Sequence, residues 1–206
     1  KAVRIVVPNA PGGAADITAR AVGEHMARTL GQPVVIENKP GAGGVVAGQT
    51  VASAAPDGHT LLLISSGTAV SQALFKSLPF DTLKAFTPVA PLATFDLVIV
   101  ANEGGEFKTL ADLVNAGKAQ GVTFSSAGSG SPGHLAAEVF HEPTGMQITH
   151  VPYKGTGPAL QDLLAGQVQL TFGTAPPFMQ HIAAGKLRVL AVTGKQRLPS
   201  LPDVPT

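Results

Sequence analysis

Short apolar, β-branched runs alternate with longer segments of helical periodicity along the whole chain. The runs predict strands at Val3–Val7, Val34–Glu37, Thr60–Ser65, Asp96–Ala101, Val122–Ser125, Gln147–Val151, Gln169–Phe172 and Arg188–Val192. Between them, helices are predicted at Ala15–Leu30, Gly44–Ala54, Ala69–Ser77, Leu110–Ala119, His134–Glu142, Pro158–Ala165 and Pro176–Ala184. Strand–helix alternation of this kind predicts an α/β fold with a largely parallel sheet. In the first helix, Ala15, Ala19, Val22, Met26 and Leu30 share one face, with Arg20, Glu24 and Arg28 opposite; Ile17 falls on the charged side. Gly31 and Pro33 then stop the helix.

Two strand-to-helix turns are rich in glycine. One is Asn9-Ala10-Pro11-Gly12-Gly13-Ala14-Ala15-Asp16, and the other is Ser126-Ala127-Gly128-Ser129-Gly130-Ser131-Pro132-Gly133-His134. Such a turn offers backbone N–H groups and the positive end of a helix dipole, an anion site that needs no charged side chain. Similar turns at Ser65-Ser66-Gly67-Thr68, at Tyr153-Lys154 and at Thr174 would lie at carboxyl ends of strands, where open α/β sheets bind ligands. The boundary between two lobes is expected near Leu97–Ala101. A second crossing near Arg188–Val192 gives a first lobe of residues 1–97 with 193–206 returning to it, and a second lobe of 98–192.

Composition narrows the function. The net charge is +1, with one Tyr, no Trp and no basic run, so a nucleic-acid surface is not expected. Charged residues make up 13% of the chain, about half the usual share. No cysteine is present, which removes disulfides, thiolate metal sites and a Cys nucleophile. No run approaches the ~18 apolar residues of a membrane span, and none resembles a signal peptide. The six histidines show neither H-x-x-x-H nor H-E-x-x-H spacing, so no metal is expected.

Three motifs carry rival readings. Gly128-Ser129-Gly130-Ser131-Pro132-Gly133 matches G-x-G-x-x-G, but the strand ending at Val151 lacks the acid that a dinucleotide ribose requires. Ser131 with His134 could serve a serine hydrolase, although three residues within one helix start suit capping better than a triad. Gly43-Gly44-Val45-Val46-Ala47-Gly48-Gln49-Thr50 approaches a P-loop but has Gln49 in place of its Lys, and close packing accounts for its glycines. Asp16, in the first helical turn, fits capping of nearby N–H groups better than direct ligand contact.

Together these residues resemble Bug-type solute-binding proteins of the tripartite tricarboxylate transporter receptor family. The resemblance rests on Pro11-Gly12-Gly13-x-x-Asp16-x-x-Ala19-Arg20, Val35-Ile36-Glu37-Asn38-Lys39-Pro40-Gly41-Ala42-Gly43-Gly44, Ala55-Pro56-Asp57-Gly58-His59-Thr60, Gly128 to Leu135, Val151-Pro152-Tyr153-Lys154-Gly155 and Leu201-Pro202-Asp203-Val204-Pro205-Thr206. It implies a two-lobed, type II periplasmic-binding-protein-like fold and a periplasmic, non-catalytic protein without cofactor. Such a protein closes on a small carboxylate between its lobes and delivers it to membrane transporter subunits. The implied ligand-binding residues are Asn9, Gly12, Gly13, Ala14, Ala15, Asp16, Ser65, Ser66, Gly67, Ser126, Ala127, Gly128, Ser129, Gly130, Ser131, His134, Tyr153 and Thr174. Two departures stand out. The family usually has an aromatic and a second proline near Val7-Pro8-Asn9-Ala10, so Asn9 is expected to add a polar contact. The family also usually continues past Thr206, which implies either a missing C-terminal part or a shortened protein with exposed sheet surface.

Overall fold

The computed structural model describes all 206 residues, which divide into two compact units, Lys1–Ala93 and Thr94–Thr206. The first unit has a parallel three-stranded sheet with β1 (Val3–Val7) between β2 (Val34–Asn38) and β3 (Thr60–Leu62). Its helices are α1 (Ala14–Leu30), α2 (Val45–Ala52) and α3 (Ser66–Leu74). As the central strand, β1 is buried over nearly its whole length, which explains its unbroken apolar run. Ile5 and Val7 pack with Ala19 of α1, flanked by Met26, Ile36 and Leu61.

The inward side of α1 is formed by Ala14, Asp16, Ala19 and Gly23, so the buried stripe is rotated from the one its apolar periodicity predicts. Leu30, on the predicted apolar face, is 51% exposed. The reason is close approach. A Cβ on Gly23 would lie 3.1 Å from Ile36 and 3.2 Å from Val34, so the helix sits on β2 through its smallest residues. The Gly43-Gly44 turn is likewise tightly packed. A Cβ on Gly43 would lie 2.3 Å from the Ser71 hydroxyl oxygen, and one on Gly44 2.8 Å from that of Thr68.

The second unit has a five-stranded sheet in the order β6-β5-β7-β4-β8, comprising β4 (Leu97–Asn102), β5 (Val122–Ser126), β6 (Ile148–Pro152), β7 (Leu170–Thr174) and β8 (Leu187–Val192). Its helices are α4 (Leu110–Ala119), α5 (Pro132–Thr144), α6 (Thr156–Leu164) and α7 (Met179–Ala183). Strands β5, β6 and β7 run parallel. Strand β4 runs antiparallel to both β7 and β8, so the largely parallel arrangement expected is strictly parallel in the first unit and carries one reversed strand in the second. The two faces of β4 show the period-two rule. Val98 and Val100 enter a core with Leu160, Leu163 and Phe178, while Ile99 and Ala101 enter another with Leu113, Phe124 and Phe172.

Residues 193–206 do not return to the first unit as expected. Leu201 is buried in the Val98–Phe178 core with Leu198 and Val204 packed beside it, and the Val192 N–H donates to the Pro205 carbonyl at 2.9 Å. The apolar side chains of this Pro-containing tail cover the Val98 and Val100 face of β4 instead.

Candidate functional site

The predicted turns gather at the carboxyl edges of the parallel strands, in one set per unit. In the first unit, β1 leads into residues 8–13 and β3 leads through Leu63–Ser65 into α3. Because β1 and β3 are parallel, both turns emerge from the same edge. Helix α1 begins at Gly13, with no side chain capping it, and its first helical bond runs from the Ile17 N–H to the Gly13 carbonyl. The N–H groups of Ala14 and Ala15 therefore have no acceptor inside the helix. Helix α3 starts in the same way from Ser65, whose hydroxyl makes no capping bond. Thr68, in its first turn, is buried with an unpartnered hydroxyl oxygen.

Asp16 is the hub of the first turn. It is 3% exposed, and its Oδ2 accepts from the Gly12 N–H and from Arg20 Nε, each at 3.0 Å. Its Oδ1 faces Arg20 Nη2 and accepts from Asn38 Nδ2, also at 3.0 Å. Asn38 Nδ2 donates as well to the Asn9 carbonyl at 3.0 Å. Burial opposes the charged carboxylate, but the bonds from Arg20, Gly12 and Asn38 outweigh it and hold its pKa below the ordinary value. Both carboxylate oxygens are thus engaged by the protein itself, through Gly12 of the turn, Arg20 of α1 and Asn38 of β2. Gly12 has φ +85°, and no atom lies within 4 Å of where a Cβ would sit, so conformation rather than crowding requires glycine there.

In the second unit, Ser126, His134, Tyr153 and Thr174 lie around the ends of β5, β6 and β7. The 126–134 turn is bonded to itself. Gly128 N–H donates to Ser126 Oγ at 3.1 Å, and Ser131 N–H donates to the Gly128 carbonyl at 3.0 Å. Gly130 N–H donates to His134 Nδ1 at 3.1 Å, and His134 N–H reaches Ser131 Oγ at 3.4 Å. The N–H groups of Ala127 and Ser129, and the exposed Ser129 hydroxyl, stay outside this network. Gly128 has φ +132°, and its Cβ would lie 3.0 Å from the Tyr153 carbonyl oxygen. Gly133 answers a different demand: a Cβ there would lie 2.0 Å from the Phe172 carbonyl oxygen, so glycine lets α5 pack directly on β7.

Tyr153 lies beside the turn, its N–H donating to the Ser126 carbonyl at 3.2 Å. Its hydroxyl donates to Asp162 Oδ2 at 2.6 Å, and burial together with that carboxylate pushes its pKa up to about 12. Lys154 is exposed, while Thr174 is half-buried at the end of β7.

Sequence reasoning missed two members of these networks. Asn38 closes the Asp16 cluster from the end of β2. His150, paired with Phe124 in the β5–β6 register, places its Nε2 2.6 Å from Ser126 Oγ. Its ring stacks on His134 at 4.0 Å between centroids and on Phe124 at 4.8 Å. Burial and the adjacent His134 lower the His150 pKa to about 4, against a weaker raising effect of Glu138. Only the alternation of Gln147–Val151 hinted that His150 faces inward.

The hydrolase pairing does not form. Ser131 Oγ meets the backbone N–H of His134, while the imidazole Nδ1 is held by Gly130 and Nε2 faces Glu138 at 3.5 Å. No bond joins the imidazole to the Ser131 hydroxyl, so it has no path for taking that proton.

A sequence profile described as tripartite tricarboxylate transporter family receptor matches residues 18–206. The chain belongs to this receptor family. It is 39% identical to protein BugT of Bordetella pertussis (strain Tohama I / ATCC BAA-589 / NCTC 13251), over 99% of this chain and 64% of BugT. Its fold superimposes on the periplasmic binding protein BugD with a TM-score of 0.94 and 36% identity, covering 100% of this chain and 69% of that one. MatC from Rhodopseudomonas palustris, solved with bound malate, matches with a TM-score of 0.91 and 38% identity, covering 100% of this chain and 71% of MatC. The chain spans between 60% and 64% of the length of the curated relatives BugT and an Agrobacterium vitis protein that is 41% identical. Its fold is therefore the α/β periplasmic-binding-protein fold expected from the sequence. No helix is long and apolar enough to cross a membrane.

Proposed function

We propose that this receptor-family chain captures a small carboxylate in the periplasm and passes it to the membrane subunits of a tripartite tricarboxylate-type transporter, without catalysing a reaction. The observation that carries this reading is the unengaged backbone N–H groups of Ala14 and Ala15 in the first turn of α1, and of Ala127 and Ser129 in the turn that leads into α5. Backbone donors at a helix start suit a carboxylate and avoid burying a Lys or Arg. No Lys or Arg occurs in either Gly-rich turn. Malate in the similar protein MatC supports the ligand class. The ligand-binding residues in this reading are Asn9, Gly12 to Ala15, Ser65 to Gly67, Ala127, Ser129 and Thr174, with Asp16, Ser126, Gly128, Gly130, Ser131, His134 and Tyr153 shaping the turns.

Mass spectrometry of small molecules that co-purify with the chain, followed by calorimetry with mono- and dicarboxylates and neutral sugars, tests the reading. Carboxylates are expected to bind and sugars not to. Sugar binding with no carboxylate binding would overturn it.

A further inference from the structure

Around the α5 start, the only side chain that accepts from the Gly130 N–H is His134, through Nδ1. An imidazole accepts at Nδ1 only while that nitrogen carries no proton. The remaining proton of the neutral ring then sits on Nε2, which faces Glu138 Oε1 at 3.5 Å. The ring plane is fixed by its 4.0 Å stack on His150, with 14° between the planes. His150 in turn rests on Phe124 and bonds Ser126 Oγ, which itself holds the Gly128 N–H. The two imidazoles therefore pin both ends of the Gly-rich turn, at Ser126–Gly128 and at Gly130. The titratable groups facing them are Glu138 from α5 and the two rings themselves. His141, also on α5, meets the other Glu138 oxygen at 3.0 Å, and β5 contributes the uncharged Ser126 and Phe124.

We propose that His134 and His150 are a positioning pair for the ligand turn, held in place through an unprotonated His134 Nδ1, so that protonation releases Gly130 and weakens carboxylate capture. A proton added at Nδ1 would point at the Gly130 N–H, turning an acceptor into a second donor. It would also place a cation against the face of His150, whose burial already disfavours charge. The inference rests on the carboxylate-binding reading, but the latch itself is visible without any ligand.

The test therefore has two readouts on the 206-residue chain. NMR follows the Gly130 amide and the His134 ring nitrogens from pH 8 to pH 5. The protection factor of the Gly130 amide is expected to fall about tenfold or more as Nδ1 gains its proton. His134→Asn keeps an acceptor at the same distance from the backbone but does not titrate, and should hold Gly130 protection flat with pH. His134→Leu should lose it at every pH. Calorimetry with malate and adipate at pH 8 and pH 6 then reads function. Wild type is expected to bind several-fold more weakly at pH 6, His134→Asn to show little change, and His134→Leu to bind about three- to tenfold more weakly at pH 8. Gly130 protection that is unchanged between pH 8 and pH 5 in wild type would overturn the latch, and this needs no variant to fold. Intact, pH-sensitive protection with neither dicarboxylate bound would instead count against the carboxylate reading alone. Equal pH dependence of malate or adipate binding in wild type and His134→Asn would overturn the proposed link to capture.

Discussion

The two Gly-rich turns solve one problem with different chemistry. In each, the glycine just before the helix cap donates its N–H to a side chain four residues on, at the third helical position: Gly12 to Asp16 and Gly130 to His134. The first acceptor is a buried carboxylate, matched by the Arg20 guanidinium. The second is a neutral imidazole, matched by a stacked ring. An acid near a helix start opposes the field that attracts an anion, unless a cation balances it. The second turn needs no such balance, but a proton can disturb it. Similar backbone geometry can therefore be locked by an ion pair that holds until strong acid, or by a ring that a proton can disturb.

The glycines of the two turns should separate most sharply. Gly133→Ala puts a Cβ 2.0 Å from the Phe172 carbonyl oxygen, and should destabilise the second unit by about 3 kcal/mol or prevent its folding. Gly12→Ala meets no atom and carries only the strain of positive φ, about 1–2 kcal/mol. Chemical denaturation of the two variants checks the ordering, and equal losses would erase the contrast.

Acid should separate the units next. The folded pKa of His150 is lowered to about 4 from an ordinary 6.5, so the unfolded chain binds its proton first as pH falls. The stability this contributes is present above pH 6.5 and is lost between about 6.5 and 4, on the order of 3 kcal/mol. The Asp16 pKa is lowered from 3.8, so its contribution is present above that value and disappears only in stronger acid. Thermal unfolding scans from pH 7 to pH 4 should show the second unit losing stability first, and His150→Gln should flatten that loss.

Removal of the fixed acceptor has a smaller expected effect. Asp16→Ala leaves the Gly12 N–H and Asn38 Nδ2 without their partner, a loss of about 2 kcal/mol confined to the first unit. The half-exposed Arg20 regains water and adds little. Smallest is Ser131→Ala, which removes the α5 cap and should cost about 1 kcal/mol. Unfolding curves for both variants would rank them.

Local pattern carried the secondary structure well. Each predicted strand and helix has a counterpart, because apolar periodicity and Gly/Pro stops are short-range signals. The direction of β4 was not legible, since its partners β7 and β8 lie far along the chain, from Leu170 onward, and nothing near Leu97 encodes their orientation. The placement of residues 193–206 failed for a related reason, as Leu198, Leu201 and Val204 show no periodicity that names their partner core. The positions of the site turns were readable from glycine and proline. Which N–H groups they leave open was not. Gly12 and Gly130 looked free, and the shared i,i+4 spacing to Asp16 and His134 was the signal that they are not. His150 and Asn38 enter through strand register, which a single sequence does not state.

Backbone amides at the α1 start and in the turn before α5 are expected to receive the carboxylate. A two-dimensional amide NMR titration of the 206-residue chain with malate, and with adipate in parallel, reads this directly at pH 8. The expected result is saturable shifts centred on Ala14, Ala15, Ala127 and Ser129, with the Gly12 and Gly130 amides, already bonded to Asp16 and His134, moving less. Saturating shifts elsewhere, with these four amides unmoved, would contradict it.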